Sequence, residues 1–214
     1  MRNGRRNVRY IAGCMYTTPL PLEYPLSQLR KYHELTPEFI HDLASRIRRL
    51  TPARNNTLLL RGDICRDLYL IEDGMLACFD VEEGRKYCSW LMTKGDFVTA
   101  VDSFNNQVVS TETIIALSAC ILWVITKADL DHLTARYTEF QTIRQILTDK
   151  YHIQSRVMDA KRKRPPEQFY EYLLEWYPAL VRDAPATALA SLMGISRTTL
   201  YDIIERRSPK NLRR

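Results

Sequence analysis

The sequence lacks a CxxC pair, and its five cysteines (Cys14, Cys65, Cys78, Cys88 and Cys120) are odd in number and widely scattered. That pattern excludes a disulfide framework and reads as reduced thiols, mostly core filler, in a cytoplasmic protein. Long apolar runs are missing too. One of the longest, Cys120-Ile121-Leu122-Trp123-Val124-Ile125, falls far short of the ~20 residues needed to cross a bilayer. The basic N-terminus has no apolar core followed by a small-residue cleavage site, so no signal peptide is read there. Histidine is rare: His33, His41, His132 and His152 are the whole set, and residues 54–125 contain none. The middle of the chain therefore lacks the imidazole ligands that a metal-dependent β-rich enzyme sets on its strands. No nucleophile–base motif, phosphate loop or paired His/Cys haem motif occurs. No enzyme activity, metal or cofactor is expected, and any small-molecule effector stays unidentified.

What is present is ordinary in amount and unusual in placement. The 45% hydrophobic and 26% charged content suits a soluble globular chain that buries a core without disulfides. Net charge is +6, but residues 1–60 carry +6, residues 61–160 carry −5 and residues 161–214 carry +5. An acidic middle between basic ends suggests that the ends meet a polyanion, although solubility alone would also account for it.

Residues 1–34 read as an N-terminal tail, opening on Arg2, Arg5, Arg6 and Arg9 and then rich in proline, with Met15 a second candidate start. Thr36-Pro37-Glu38 then opens a helix, with Thr36 as N-cap and Pro37 at the first helical position. The period next changes. Residues 57–60, 68–71, 75–81, 87–91 and 114–125 read as strands, and four of the seven glycines (Gly62, Gly74, Gly84, Gly95) fall between them at intervals of 12, 10 and 11 residues. Regular strands with glycine turns at this spacing predict an antiparallel sandwich or barrel. From Lys127 the helical period returns. A helix over 139–162 carries Phe140, Ile143, Ile146, Leu147, Tyr151, Ile153, Val157 and Met158 mostly on one stripe. Its ~36 Å length favours a contact between subunits over packing on its own domain. Phe140, Ile143, Ile146, Leu147 and Tyr151 are the expected dimer residues. Lys161-Arg162-Lys163-Arg164 and Pro165-Pro166 end this helix, and another is expected over 167–180.

The strongest local pattern is 186–205. A helix-turn-helix needs a small residue where its helices cross, a glycine in the turn and apolar residues at fixed offsets. Ala190, Gly194, and Leu189, Met193, Ile195, Leu200 and Ile203 occupy those positions. A plain helical hairpin is the alternative. On the DNA reading, Ser196, Arg197, Thr198, Thr199, Tyr201 and Asp202 face the groove, and Arg206 and Arg207 meet phosphates.

Several stretches now resemble one family. Leu60-Arg61-Gly62-Asp63, Asp67-Leu68-Tyr69-Leu70-Ile71-Glu72-Asp73-Gly74, Lys94-Gly95-Asp96-Phe97 and Gly194-Ile195-Ser196-Arg197-Thr198-Thr199-Leu200 resemble motifs of the cyclic-AMP receptor protein/FNR (Crp/Fnr) regulators. The likeness is greatest to the short, divergent Bacteroidetes-type members. It implies an α+β chain: a cyclic-nucleotide-binding-like β-roll (35–126), a dimerisation helix region (127–164) and a helix-turn-helix domain (165–214). It also implies a homodimeric transcription regulator whose partners are double-stranded DNA and, as a further candidate, RNA polymerase, with no membrane. A protein-binding module on the same scaffold is the rival function.

Three features depart from the family. Ser110-Thr111 stands where the family has Arg followed by Ser or Thr, Gly95-Asp96 replaces Gly-Glu, and no Lys or Arg lies between Lys94 and Lys127. The implied effector pocket, Asp96, Phe97, Ser110, Thr111, Glu112 and Thr113, thus offers a cyclic phosphate no cation, unless Arg61, Arg66 or Arg85 reaches in. Cys14 stands alone where iron–sulfur members carry a cluster. The residues after the recognition helix are too few for the family's wing.

Overall fold

The computed structural model describes residues 22–82 and 84–207. The arginine-rich start, Cys14, Met15 and the segment after Arg207 lie outside the described residues.

The fold begins earlier than the sequence pattern suggested. Residues expected within the tail form helix α1 (Glu23–Leu29), which buries Pro25, Leu26 and Leu29. Pro25 sits in its first turn, where a backbone N–H has no intrahelical partner, so proline costs little. The Tyr24 hydroxyl donates to the Ile71 carbonyl at 3.0 Å and ties the helix to the roll. Helix α2 (Pro37–Arg46) starts as expected, with the Phe39 amide donating to the Thr36 hydroxyl oxygen at 3.3 Å.

Among the described residues, eight strands follow in two sheets, with one short helix between the sixth and seventh: β1 (Arg48–Leu50), β2 (Thr57–Leu59), β3 (Asp67–Asp73), β4 (Leu76–Glu82), β5 (Arg85–Met92), β6 (Phe97–Val98), α3 (Val101–Asn106), β7 (Thr113–Ala116) and β8 (Ile121–Thr126). One sheet runs β1-β8-β3-β6 and the other β2-β7-β4-β5, every pairing antiparallel. The apolar run expected as one strand over 114–125 is two strands in different sheets. The chain crosses between them over 117–120, a corner that carries no glycine or proline to mark it.

Helix α4 (Lys127–Arg136) is capped by Thr126 and leads into α5 (Thr138–Arg162). Beyond it come α6 (Pro166–Trp176), α7 (Pro178–Asp183), α8 (Ala186–Leu192) and α9 (Arg197–Arg206). The helix expected over 167–180 is thus two, broken at Tyr177 before Pro178.

Two cores meet at the second sheet. Leu76, Cys78, Ile114 and Ala116 point into the roll with Phe39, Ile71, Leu122 and Ile143. Met75, Ala77, Cys88 and Leu91 point outward, onto Met158, Phe169, Leu173, Leu189, Leu192 and Leu200. Strand alternation distributes neighbouring residues to the two cores. β5 ends its sheet, and α8 lies against it: the Cys88 amide donates to the Ser191 hydroxyl oxygen at 2.8 Å.

The four spaced glycines all have positive φ. Gly74 is further confined, because a Cβ there would lie 2.6 Å from the Ala119 carbonyl oxygen. Gly62 has a similar φ and open space. Gly62→Ala should therefore cost the backbone penalty alone, ~1–2 kcal/mol, and Gly74→Ala clearly more. Urea denaturation of both variants checks this, and equal losses would contradict it.

Candidate nucleic-acid interface and roll cavity

The turn between α8 and α9 is built by a Schellman motif. The Ile195 amide donates to the Ala190 carbonyl at 3.0 Å, the Gly194 amide to that of Ser191 at 3.2 Å, and Gly194 takes φ +67°. Leu189, Ala190, Met193, Leu200 and Ile203 are buried and Ile195 packs against them, so six of the seven pattern positions join one core, while Gly194 stays exposed in the turn. The next helix is capped in turn: the Thr199 amide donates to the Ser196 hydroxyl oxygen at 3.0 Å.

With its apolar side committed, α9 leaves Arg197, Thr198, Thr199, Tyr201 and Asp202, with Ser196 before it, exposed. Arg197 has no ion-pair or hydrogen-bond partner among the described residues. Arg206 and Arg207 also stay exposed but pair with Glu167 (3.5 Å) and Glu171 on α6. Both therefore brace α9 against α6 as well as facing solvent.

The expected dimer residues separate into two groups. Phe140 and Ile143 are buried in the roll core, and Leu147 packs against it. The Tyr151 hydroxyl accepts from the Phe97 amide at 2.7 Å. Phe140 and Ile143, buried in the chain's own roll, are thus corrected from subunit contacts, while Leu147 and Tyr151 touch the roll and stay half-buried. Ile146 alone of the five is exposed, together with Ile153 and Val157 further along α5. The apolar pattern of α5 is two stripes that overlap in sequence.

Between α5 and the roll lies a cavity of about 720 Å³. Of the expected pocket residues, Phe97, Ser110, Thr111 and Glu112 line it; Asp96 and Thr113 do not. Asp96 instead accepts from the Thr93 amide at 2.9 Å and stitches the turn into β6; burial pushes its carboxyl upward against that bond. The Thr113 hydroxyl oxygen accepts from the Arg61 amide. None of Arg61, Arg66 and Arg85 lines the cavity.

Sequence reasoning missed what α5 brings to the cavity: Arg144, Thr148, His152 and Ser155 line it from ~30 residues beyond the roll segment. Arg144 is held by Asp131 at 3.4 Å and by the Thr134 hydroxyl at 3.3 Å. No sequence spacing would have placed it in one cavity with Glu112; only the return of α5 across the roll does so. Among the described residues, no group of three or more His, Cys, Asp or Glu could hold a metal ion, and no helix is long and apolar enough to cross a membrane.

Residues 51–137, the greater part of this roll, match the cyclic nucleotide-binding domain family. No curated protein matches the chain in sequence. Solved structures do match its fold. One is a transcriptional regulator described as of the Crp/Fnr family from Eubacterium rectale (13% identity, 84% of this chain and 86% of that one, TM-score 0.64). A second is the c-di-GMP-responsive global regulator CLP of Xanthomonas campestris (15%, 83% and 94%, 0.63). A third is FixK2 of Bradyrhizobium japonicum (10%, 75% and 83%, 0.63). The chain thus carries a cyclic nucleotide-binding-type roll within a Crp/Fnr-type fold.

Tyr151 offers a test of the helix face that meets the roll. Tyr151→Phe strands the Phe97 amide and should cost ~1–3 kcal/mol of stability while leaving the oligomeric state as it was. Denaturation paired with sedimentation reads both; a change in assembly at unchanged stability would return Tyr151 to a subunit contact.

Proposed function

We propose that this chain is a homodimeric, sequence-specific DNA-binding transcription regulator that does not respond to cyclic AMP. The observation that carries the reading is α8–turn–α9: both apolar sides are buried, and a polar face headed by an unpaired Arg197 is free. A second helix presented this way suits the major groove, where arginine pairs with guanine O6 and N7. Thr198 and Tyr201 are its neighbours at the groove. Asp202 has no N–H to donate to guanine O6 and N7 as arginine does, so the operator should differ from those read by arginine at that position.

Two half-sites need two chains. Ile146 and Ile153 lie one heptad apart on the solvent side of α5, with Val157 beside them, a pattern that suits a helix pair. The cyclic AMP part rests on the cavity. A cyclic phosphate held inside it would be a buried anion in need of a cation, and Arg144 is already engaged with Asp131.

Arg197→Ala should weaken binding to the best site by ~1–3 kcal/mol and relax preference at one base of each half-site. Fluorescence anisotropy against a panel of single-base variants measures this, over a salt series to register phosphate contacts. A uniform loss on all sequences would make Arg197 a backbone contact. An absence of salt-dependent DNA binding would favour a protein partner for the same helices.

Ile153→Asp should give monomers that keep the fold and lose high-affinity DNA binding. Sedimentation with circular dichroism checks it, and an intact dimer would rule out this seam.

A further inference from the structure

The cavity has a chemical sign. Its walls are largely apolar and aromatic, with Leu68, Trp90, Met92, Phe97, Phe104 and Phe140 among them. At the β7 end stands Glu112, half-buried and lining the space. Its backbone is fixed by Ser110: the Glu112 amide donates to the Ser110 hydroxyl oxygen, and that hydroxyl donates to the Glu112 carbonyl, each at 3.0 Å. Its carboxylate receives no hydrogen bond from any described residue.

Burial first, and the neighbouring acid Asp80 next, push the Glu112 carboxyl upward. Cys78, also in the lining, has its thiol pushed up by burial first and by Glu112 next. Arg144, which lines the cavity from α5, has its Nη1 on Asp131 and Thr134. A carboxylate left without a donor in apolar surroundings is costly unless something arriving from outside pairs with it. Aromatic walls add a preference of the same sign, because ring faces attract cations.

We propose that the roll cavity binds an amphiphilic cation: an apolar, aromatic-sized body carrying a protonated amine or amidine that pairs with Glu112. The volume of about 720 Å³ falls in the range of small-molecule sites. The proposal rests on reading this cavity as the effector site of the regulator, and it names the ligand class.

The test uses the full chain and three size-matched probes, 4-phenylbutylamine, 5-phenylpentanoate and 4-phenylbutan-1-ol, by isothermal titration. Quenching of tryptophan fluorescence, with Trp90 in the cavity wall, gives a second reading. The amine should bind at least ten-fold tighter than either of the others, and Glu112→Gln should bring it to the level of the alcohol. Equal binding of the three probes, a preference for the carboxylate, or an amine preference kept in Glu112→Gln would each overturn the proposal. The comparison among probes on the unmodified protein stands even if the variant folds poorly. Micromolar binding of cyclic AMP in competition with the amine would overturn it as well. DNA affinity measured alongside separates the two readings. Amine binding that leaves DNA affinity unchanged supports the site and contradicts its role as an effector site, whereas intact DNA binding without amine preference overturns the site alone.

Discussion

The sheet β2-β7-β4-β5 is buried on both faces, and the rest of the molecule depends on it. Its inner residues, Leu76, Cys78, Ile114 and Ala116, complete the roll core; its outer residues, Met75, Ala77, Cys88 and Leu91, complete the core beneath the C-terminal helices. Fully burying side chains of this kind contributes roughly 1.5–3 kcal/mol for each of the large ones, so neither core survives without the sheet. Trp90 packs against both cores and lines the cavity. Rearrangement around that ring would be felt by the helices that carry Arg197, because packed interiors transmit small displacements.

Helix α5 supplies the other long link. Its inner stripe of Phe140, Ile143, Leu147 and Tyr151 closes the roll, its C-terminal turn donates from Arg162 to the Ser89 carbonyl at 2.7 Å, and its outer side chains Ile146, Ile153 and Val157 remain free. One helix therefore forms a cavity wall and a brace on β5, and leaves an apolar side exposed. Arg144 stands in that wall with its Nη1 3.4 Å from Asp131, so the cation at the cavity is shared with an acid of the chain's own.

Much of this was legible in the residues. Gly62, Gly74, Gly84 and Gly95 marked the turns because each takes a positive φ that other residues resist. Gly194 and Ser196 marked the end of one helix and the start of the next for the same kind of local reason. Features without a local signal were missed. The strands at Arg48–Leu50 and Phe97–Val98 are too short to show a period, and the sheet switch over 117–120 has no glycine or proline. The periodicity of α5 identified an apolar helix but could not say which stripe met the roll, since that depends on the direction from which the helix returns. The cavity depended on the same return: Phe97, Ser110, Thr111 and Glu112 were implied by the family resemblance, while Arg144 and His152 were not.

The central claim is that two copies of this chain read a specific DNA site with α9. Selecting bound fragments from fragmented genomic DNA with the purified full chain, and sequencing them, tests it most directly. The account expects enrichment of a twofold-symmetric sequence whose half-sites lie about one helical turn apart, with guanine preferred at one position of each half. Recovery of fragments without any shared sequence, or of a single unrepeated half-site, would contradict it.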